Sequence, residues 1–153
     1  MRKVMRCSMS HLTLYKGYNP ISYELSCTHR MIFSTRTINI LKDAGWYPVR
    51  KIEIGSTINF LEKREFEVFY PAKKAFEHFG GLKYSVPSDE SDDFQIDPEF
   101  LREGIERKHY SRYEKIIGEE LVLIGLAYDG NATMFMSKIG KVYGIIDDYY
   151  IWK

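Results

Sequence analysis

Four histidines, two cysteines and two adjacent aspartate pairs are the residues of this chain that could do chemistry. None has the spacing that chemistry demands. His11, His29, His78 and His109 stand far apart, with no Cys-x-x-Cys and no His-x-x-x-His pair to build a zinc site. Cys27 lies two residues from His29, but Cys7 is distant and the region has no regular pattern. No Gly-x-Ser-x-Gly elbow is present, and neither cysteine opens a predicted helix that would lower its pKa. Gly80-Gly81 lacks the following Lys-Ser/Thr of a phosphate loop and reads as a helix stop leading into a strand. Asp92-Asp93 and Asp147-Asp148 read as solvated turn acids, because neighbours in a strand point to opposite faces. The expectation is a protein that binds rather than catalyses, with no metal and no cofactor.

One charged feature survives this elimination. Between Ser88 and Glu99 stand Asp89, Glu90, Asp92, Asp93, Asp97 and Glu99, without a single basic residue. Such a run repels phosphate, so direct nucleic-acid contact through it is not expected. It attracts a basic protein surface and accelerates encounter with one. Capping a helix absorbs one or two of these acids; a solvated loop is the alternative for the rest.

The elements that must position this run are partly legible. Residues 1–31 show no period or cap and read as an extension of uncertain order. Residues 1–30 hold five basic residues and one acid, which leaves residues 31–153 with three more acids than bases, although the whole chain carries +1. Ser34 or Thr35 caps a first helix with Ile38, Leu41 and Ala44 on one face, closed by Gly45. Pro48 enforces a turn after Trp46-Tyr47. Ser56 or Thr57 starts a second helix carrying Ile58 and Leu61. Residues 65–70 alternate and suit helix or strand equally. Pro71 opens a third helix with Ala72, Ala75, Phe76 and Phe79 as its buried stripe, and Leu82–Val86 comes next as a short strand.

Asp97-Pro98-Glu99 combines a cap, a proline at the first position and an acid at the positive end of the dipole, so a helix is expected there. Gly104 weakens or splits that helix. Tyr110, Tyr113, Ile116 and Ile117 then form a helical face ended by Gly118. The last third reads as a β-meander: Leu121–Tyr128, a turn at Asp129-Gly130-Asn131, Met134–Ser137, a turn at 139–141, Val142–Ile145 and Tyr149–Trp152. Helices leading into consecutive strands give an α+β fold, N-terminal helices packed on a single mainly antiparallel sheet. Aromatic residues reach 15%, with twelve tyrosines, which suits both strands and contact surfaces. No apolar run has the length of a signal peptide core or a membrane span, so a cytoplasmic protein with reduced thiols and no membrane contact is expected.

Several separated motifs resemble one family in order. Ala44-Gly45-Trp46-Tyr47-Pro48-x-Arg50 is similar to the opening motif of SUKH-3 immunity proteins. Phe76-Glu77-His78-Phe79-Gly80-Gly81-Leu82 resembles that family's helix-to-strand corner, and Asp97-Pro98 its next helix start. Gly118-x-x-Leu121-x-x-Ile124-Gly125 and Gly140-Lys141-Val142-Tyr143-Gly144 resemble its first strand and its hairpin. The resemblance spans roughly 34–152 and implies a domain over 32–153, with Gly45, Trp46, Pro48, Arg50, Phe79, Gly80, Gly81, Gly118, Gly140 and Tyr143 as structural positions. It implies helices on one curved sheet, with Trp46 buried where the first helix meets that sheet. It also implies a closing C-terminal helix, which this chain is expected to lack. In function it implies an immunity protein that binds a cognate bacterial toxin, typically a basic nuclease domain of a polymorphic-toxin or contact-dependent system. The alternative is an adaptor of the same superfamily binding an endogenous regulatory protein.

Overall fold

The computed structural model describes residues 21–24, 30–85, 93–101, 105–146 and 150–152. Cys7, Cys27, His11, His29, Asp89, Glu90, Asp92, Gly104 and the Asp147-Asp148 pair carry expectations that lie outside the described residues.

Within the stretch read as an extension, β1 (Ile21–Glu24) pairs antiparallel with β2 (Arg30–Phe33), from Ile21 opposite Phe33 to Glu24 opposite Arg30. This hairpin is a sheet of its own. Ser34 then caps α1 (Thr35–Asp43): its side chain accepts a hydrogen bond from the Thr37 N–H at 3.1 Å, and Ile38 and Leu41 are buried. Helix α2 (Gly55–Glu62) begins one to two residues before the expected caps. Its start carries no side-chain cap, and Thr57 is instead turned toward the acidic segment. The ambiguous 65–70 stretch is neither helix nor strand until Tyr70. Phe66, Val68 and Phe69 are buried there while Glu67 is exposed, so the alternation serves a packed connection.

Helix α3 (Tyr70–Phe79) has Pro71 in its first turn and buries Ala72, Ala75, Phe76 and Phe79, the expected stripe. Leu82–Val86 yields only two paired residues among those described, β3 (Lys83–Tyr84). Its partner β4 (Phe94–Gln95) lies inside the acidic run, where the sequence pattern shows no strand. The expected helix at Asp97 is a three-residue 3₁₀ turn, Pro98–Phe100, that stops at Leu101. Helix α4 (Arg107–Ile117) buries Tyr113 and half-buries Tyr110 and Ile117, but Ile116 is 54% exposed and is not part of the buried face. Gly118 ends it at φ +76, a left-handed cap that L-residues with a Cβ adopt at a cost.

The meander comes next as expected: β5 (Leu121–Ala127), β6 (Ala132–Ser137), β7 (Val142–Ile146) and β8 (Tyr150–Trp152). With β3 and β4 they make a six-stranded antiparallel sheet in simple sequence order. The chain is α+β, helices first and the meander last. Every residue of β5 is buried, which means both faces of this central strand are covered. Tyr110 of α4 rests on Phe135 of β6 at 4.7 Å between ring centroids, and α3 lies against β5 and β6. Among the described residues no helix is long and apolar enough to cross a membrane.

Candidate functional site

The C-terminal corner of α3 joins most of the sequence motifs. A helix end leaves carbonyls without intrahelical partners, and a cation there also complements the helix dipole. Arg50 supplies both. Its guanidinium donates to the carbonyl of His78 at 3.0 Å and to that of Gly80 at 2.7 Å. In return His78 Nδ1 lies 2.6 Å from the Arg50 carbonyl oxygen; since a carbonyl only accepts, Nδ1 carries the proton. The Ile52 N–H adds a bond to the Glu77 carbonyl at 3.0 Å. Glycine is required at position 80 for space: a Cβ there would lie 2.6 Å from the Phe76 carbonyl oxygen and 3.1 Å from Ile52.

Trp46 fastens the other side of the same loop. It is 4% exposed, stacks on Phe79 at 6.4 Å and meets Phe33 edge-on at 6.1 Å. Phe33 and Phe79 touch each other edge-on at 6.2 Å, closing a three-ring cluster. The rings against Trp46 come from β2, the strand that leads into α1, and from α3. Gly45, Pro48 and Arg50 shape the loop between these anchors.

The acidic segment is tied to this corner. The Gly81 N–H donates to the Ile96 carbonyl at 2.7 Å and the Ile96 N–H to the Leu82 carbonyl at 2.9 Å. Three of the six acids are described, and each already holds a backbone or side-chain donor. Asp97 accepts from the Glu99 N–H at 3.0 Å and caps the 3₁₀ turn. Glu99 accepts from the Thr57 hydroxyl at 3.0 Å, linking the segment to α2. Asp93 accepts from the Asp129 N–H at 2.5 Å, which pins the β5–β6 turn. All three are half-buried, so they form a fixed, anchored rim instead of a freely solvated run. Gly125 permits this anchoring, because a Cβ there would overlap the Gln95 carbonyl oxygen.

A second polar cluster lies under the β6–β7 hairpin, and no local sequence signal marks it. Lys141 Nζ is 2.6 Å from Glu119 Oε1, beside the buried Ser137 and Tyr143. Burial alone would raise the Glu119 carboxyl, but hydrogen bonding from Lys141, Ser137 and Tyr143 together with the Lys141 charge holds it below its ordinary range. Oε2 itself is buried outside good hydrogen-bond geometry. Gly140 turns the hairpin over Pro71, with a hypothetical Cβ 3.5 Å from that ring. Next to it Glu114 accepts from Arg107 at 3.2 Å and from the Leu121 N–H at 2.9 Å, fastening α4 to the start of β5. Nothing local in Glu119-Glu120 distinguishes these acids from surface ones.

His78 is consumed by the corner and His109 is exposed on α4. Among the described residues no three His, Cys, Asp or Glu side chains gather into a group that could hold a metal. The architecture is that of an α+β domain with helices on an antiparallel meander. A profile of the SUKH-3 immunity protein family matches residues 33–152, and the chain belongs to that family. No curated protein and no solved structure shows significant similarity to it.

Proposed function

We propose that this chain is a cytoplasmic immunity protein that binds and neutralises a cognate protein toxin, a basic nuclease domain of a polymorphic-toxin or contact-dependent competition system. Membership of the immunity family over 33–152 carries the reading. The acidic segment gives it a physical mode. Asp93, Asp97 and Glu99 stand on backbone fixed by β4 and the 3₁₀ turn, and Asp89, Glu90 and Asp92 extend the same charge in sequence. Negative charge there steers a cationic domain toward the surface and keeps phosphate away from it.

The test is co-expression with candidate toxin domains. Relief of growth arrest by this chain, with a stable complex recovered from the cells, supports the reading. Failure to relieve any basic nuclease domain, together with recovery of an endogenous regulatory protein, would replace it with the adaptor role.

A further inference from the structure

Between Trp46 and Arg50 the chain makes a tight turn. The Arg50 N–H closes it on the Tyr47 carbonyl at 3.2 Å, and Val49 occupies its third position at φ +61. That position at positive φ is one glycine or asparagine normally takes. Val49, Glu65, Tyr128 and Asp129 are the described non-glycine residues with positive φ, and Val49 alone is β-branched, the side-chain class least tolerant of it. No burial offsets the strain, since Val49 is 73% exposed and its neighbour Tyr47 56%. Buried Trp46 on one side and the Arg50 clamp on the other hold the turn in place. Two apolar side chains are thus displayed on a rigid support, at the cost of a conformation that glycine would relax.

The turn and the acidic rim share one corner. Arg50 is bound to the carbonyl of Gly80, and the next N–H, that of Gly81, binds Ile96 immediately before Asp97. We propose that Tyr47 and Val49 are the apolar anchor of the partner contact, seated in an apolar pocket of a basic toxin domain whose cationic rim meets Asp97 and Glu99. This rests on the immunity reading above. The carboxylates that follow Ile96, linked to the turn through Arg50 and Gly80-Gly81, favour a cationic partner over a second copy of this chain, whose matched surface would carry the same acids. An exposed tyrosine is a usual component of a binding hot spot, and Val49 fixes an apolar neighbour beside it.

The experiment compares the full chain with Val49→Gly, Tyr47→Ala and Ile139→Ala, the last being exposed on the distant β6–β7 turn. The probe is the toxin domain whose growth arrest the wild type relieves. Val49→Gly is expected to melt at a higher temperature than the wild type yet to bind the toxin at least about tenfold more weakly, and Tyr47→Ala to weaken binding comparably. Ile139→Ala is expected to bind like the wild type. Val49→Gly binding within about twofold of wild type, or a loss for Ile139→Ala equal to that for Val49→Gly, overturns the inference while leaving the immunity reading intact. So does wild-type self-association that Val49→Gly abolishes with toxin affinity unchanged. A wild type that binds no toxin removes the functional reading, and this inference with it.

Discussion

Arg50 and His78 clasp each other's backbones: the guanidinium of Arg50 donates to the His78 carbonyl, and the imidazole of His78 donates to the Arg50 carbonyl. Twenty-eight positions separate them in sequence, so no local pattern announces the pair. Together they end α3 and orient both the Tyr47–Arg50 turn and the Gly81–Ile96 contact. Hydrogen bonds from charged groups are the stronger kind, about 1.5–3 kcal/mol each before solvent exposure weakens them. Arg50→Ala is therefore expected to lower unfolding stability by about 2–3 kcal/mol, and His78→Ala by about 1 kcal/mol. Arg50→Lys should recover less than half of the loss, because an ammonium cannot span two carbonyls as a planar fork does. Urea denaturation of the three variants checks this ordering. Equal stability of Arg50→Lys and wild type would show that charge alone, not the fork, holds the corner.

Trp46 offers an independent reading of the same corner. Its ring lies between Phe33 and Phe79, so Trp46→Ala leaves a void between β2, α1 and α3 and is expected to cost about 3–5 kcal/mol. Trp46→Phe keeps an aromatic contact and should cost about half as much. Tryptophan fluorescence adds a second check. The chain has two tryptophans, and Trp46 is 4% exposed, so Trp46→Phe should remove a blue-shifted component of the emission. An unchanged spectrum would mean the ring is not buried between those partners.

Legibility in the sequence tracks the range of the interactions. Ser34, the α3 stripe and the 128–131 turn are readable because caps, helical period and turn chemistry act over three or four residues. The same local grammar overshoots at Asp97-Pro98-Glu99. Cap and proline start a helical turn there, but Leu101 leaves helical geometry at ψ 69 and Pro98 is buried, so tertiary packing ends it after three residues. Phe94-Gln95 is invisible as a strand because it is two residues long and set among carboxylates; its identity comes from pairing with Leu126 and Ala127. Of the candidate site, the carboxylate run is readable and its anchoring is not. The Glu99–Thr57 and Asp93–Asp129 bonds join residues 42 and 36 positions apart.

Gly125 links stability to the acidic rim. Alanine at this position would drive its Cβ into the Gln95 carbonyl oxygen, an overlap that backbone cannot absorb without moving β4 away from β5. Gly125→Ala is expected to cost about 2–4 kcal/mol, within the range for overpacking combined with broken ladder bonds. Its mark should be local as well as global. Amide exchange at Tyr128, whose N–H binds the Asp93 carbonyl next to β4, should accelerate more than at Phe135 or Met136, which lie in β6 between β5 and β7. Uniform acceleration would indicate general unfolding in place of a released β4.

Glu119 sets an expectation for acid. Its folded-state carboxyl lies below the ordinary value of 4.5, because hydrogen bonding and the Lys141 charge outweigh burial. A depressed folded pKa stabilises the fold above the unfolded pKa, and that contribution is lost as pH falls through the folded value. Stability should therefore decline as pH drops below about 4.5. Glu119→Gln should be less stable at pH 7 and show a shallower decline on the acid side. The Lys74–Glu77 pair works in the same direction, since the Lys74 hydrogen bond depresses Glu77. Denaturation midpoints of wild type and Glu119→Gln across about pH 3 to 7 measure the difference (a range chosen to bracket the carboxylate values). Parallel curves would show that Glu119 does not titrate against Lys141.

Charge reversal separates steering from anchoring on the acidic rim. Asp93, Asp97 and Glu99 each hold a donor inside the protein, so replacing them would disturb the fold along with the surface. Lysine at Asp89, Glu90 and Asp92 avoids those bonds, because none of the three takes part in them. If the proposed toxin contact uses this segment, the triple variant should associate about tenfold or more slowly at low salt, with the difference shrinking as salt rises toward physiological strength. Dissociation should change little, because exposed pairs contribute only about 0.2–1 kcal/mol each. A faster dissociation with an unchanged association rate would mean these carboxylates are desolvated in the complex and act as anchors. Unchanged rates in both directions would leave Tyr47, Val49, Asp97 and Glu99 to account for the contact and would remove residues 89–92 from it.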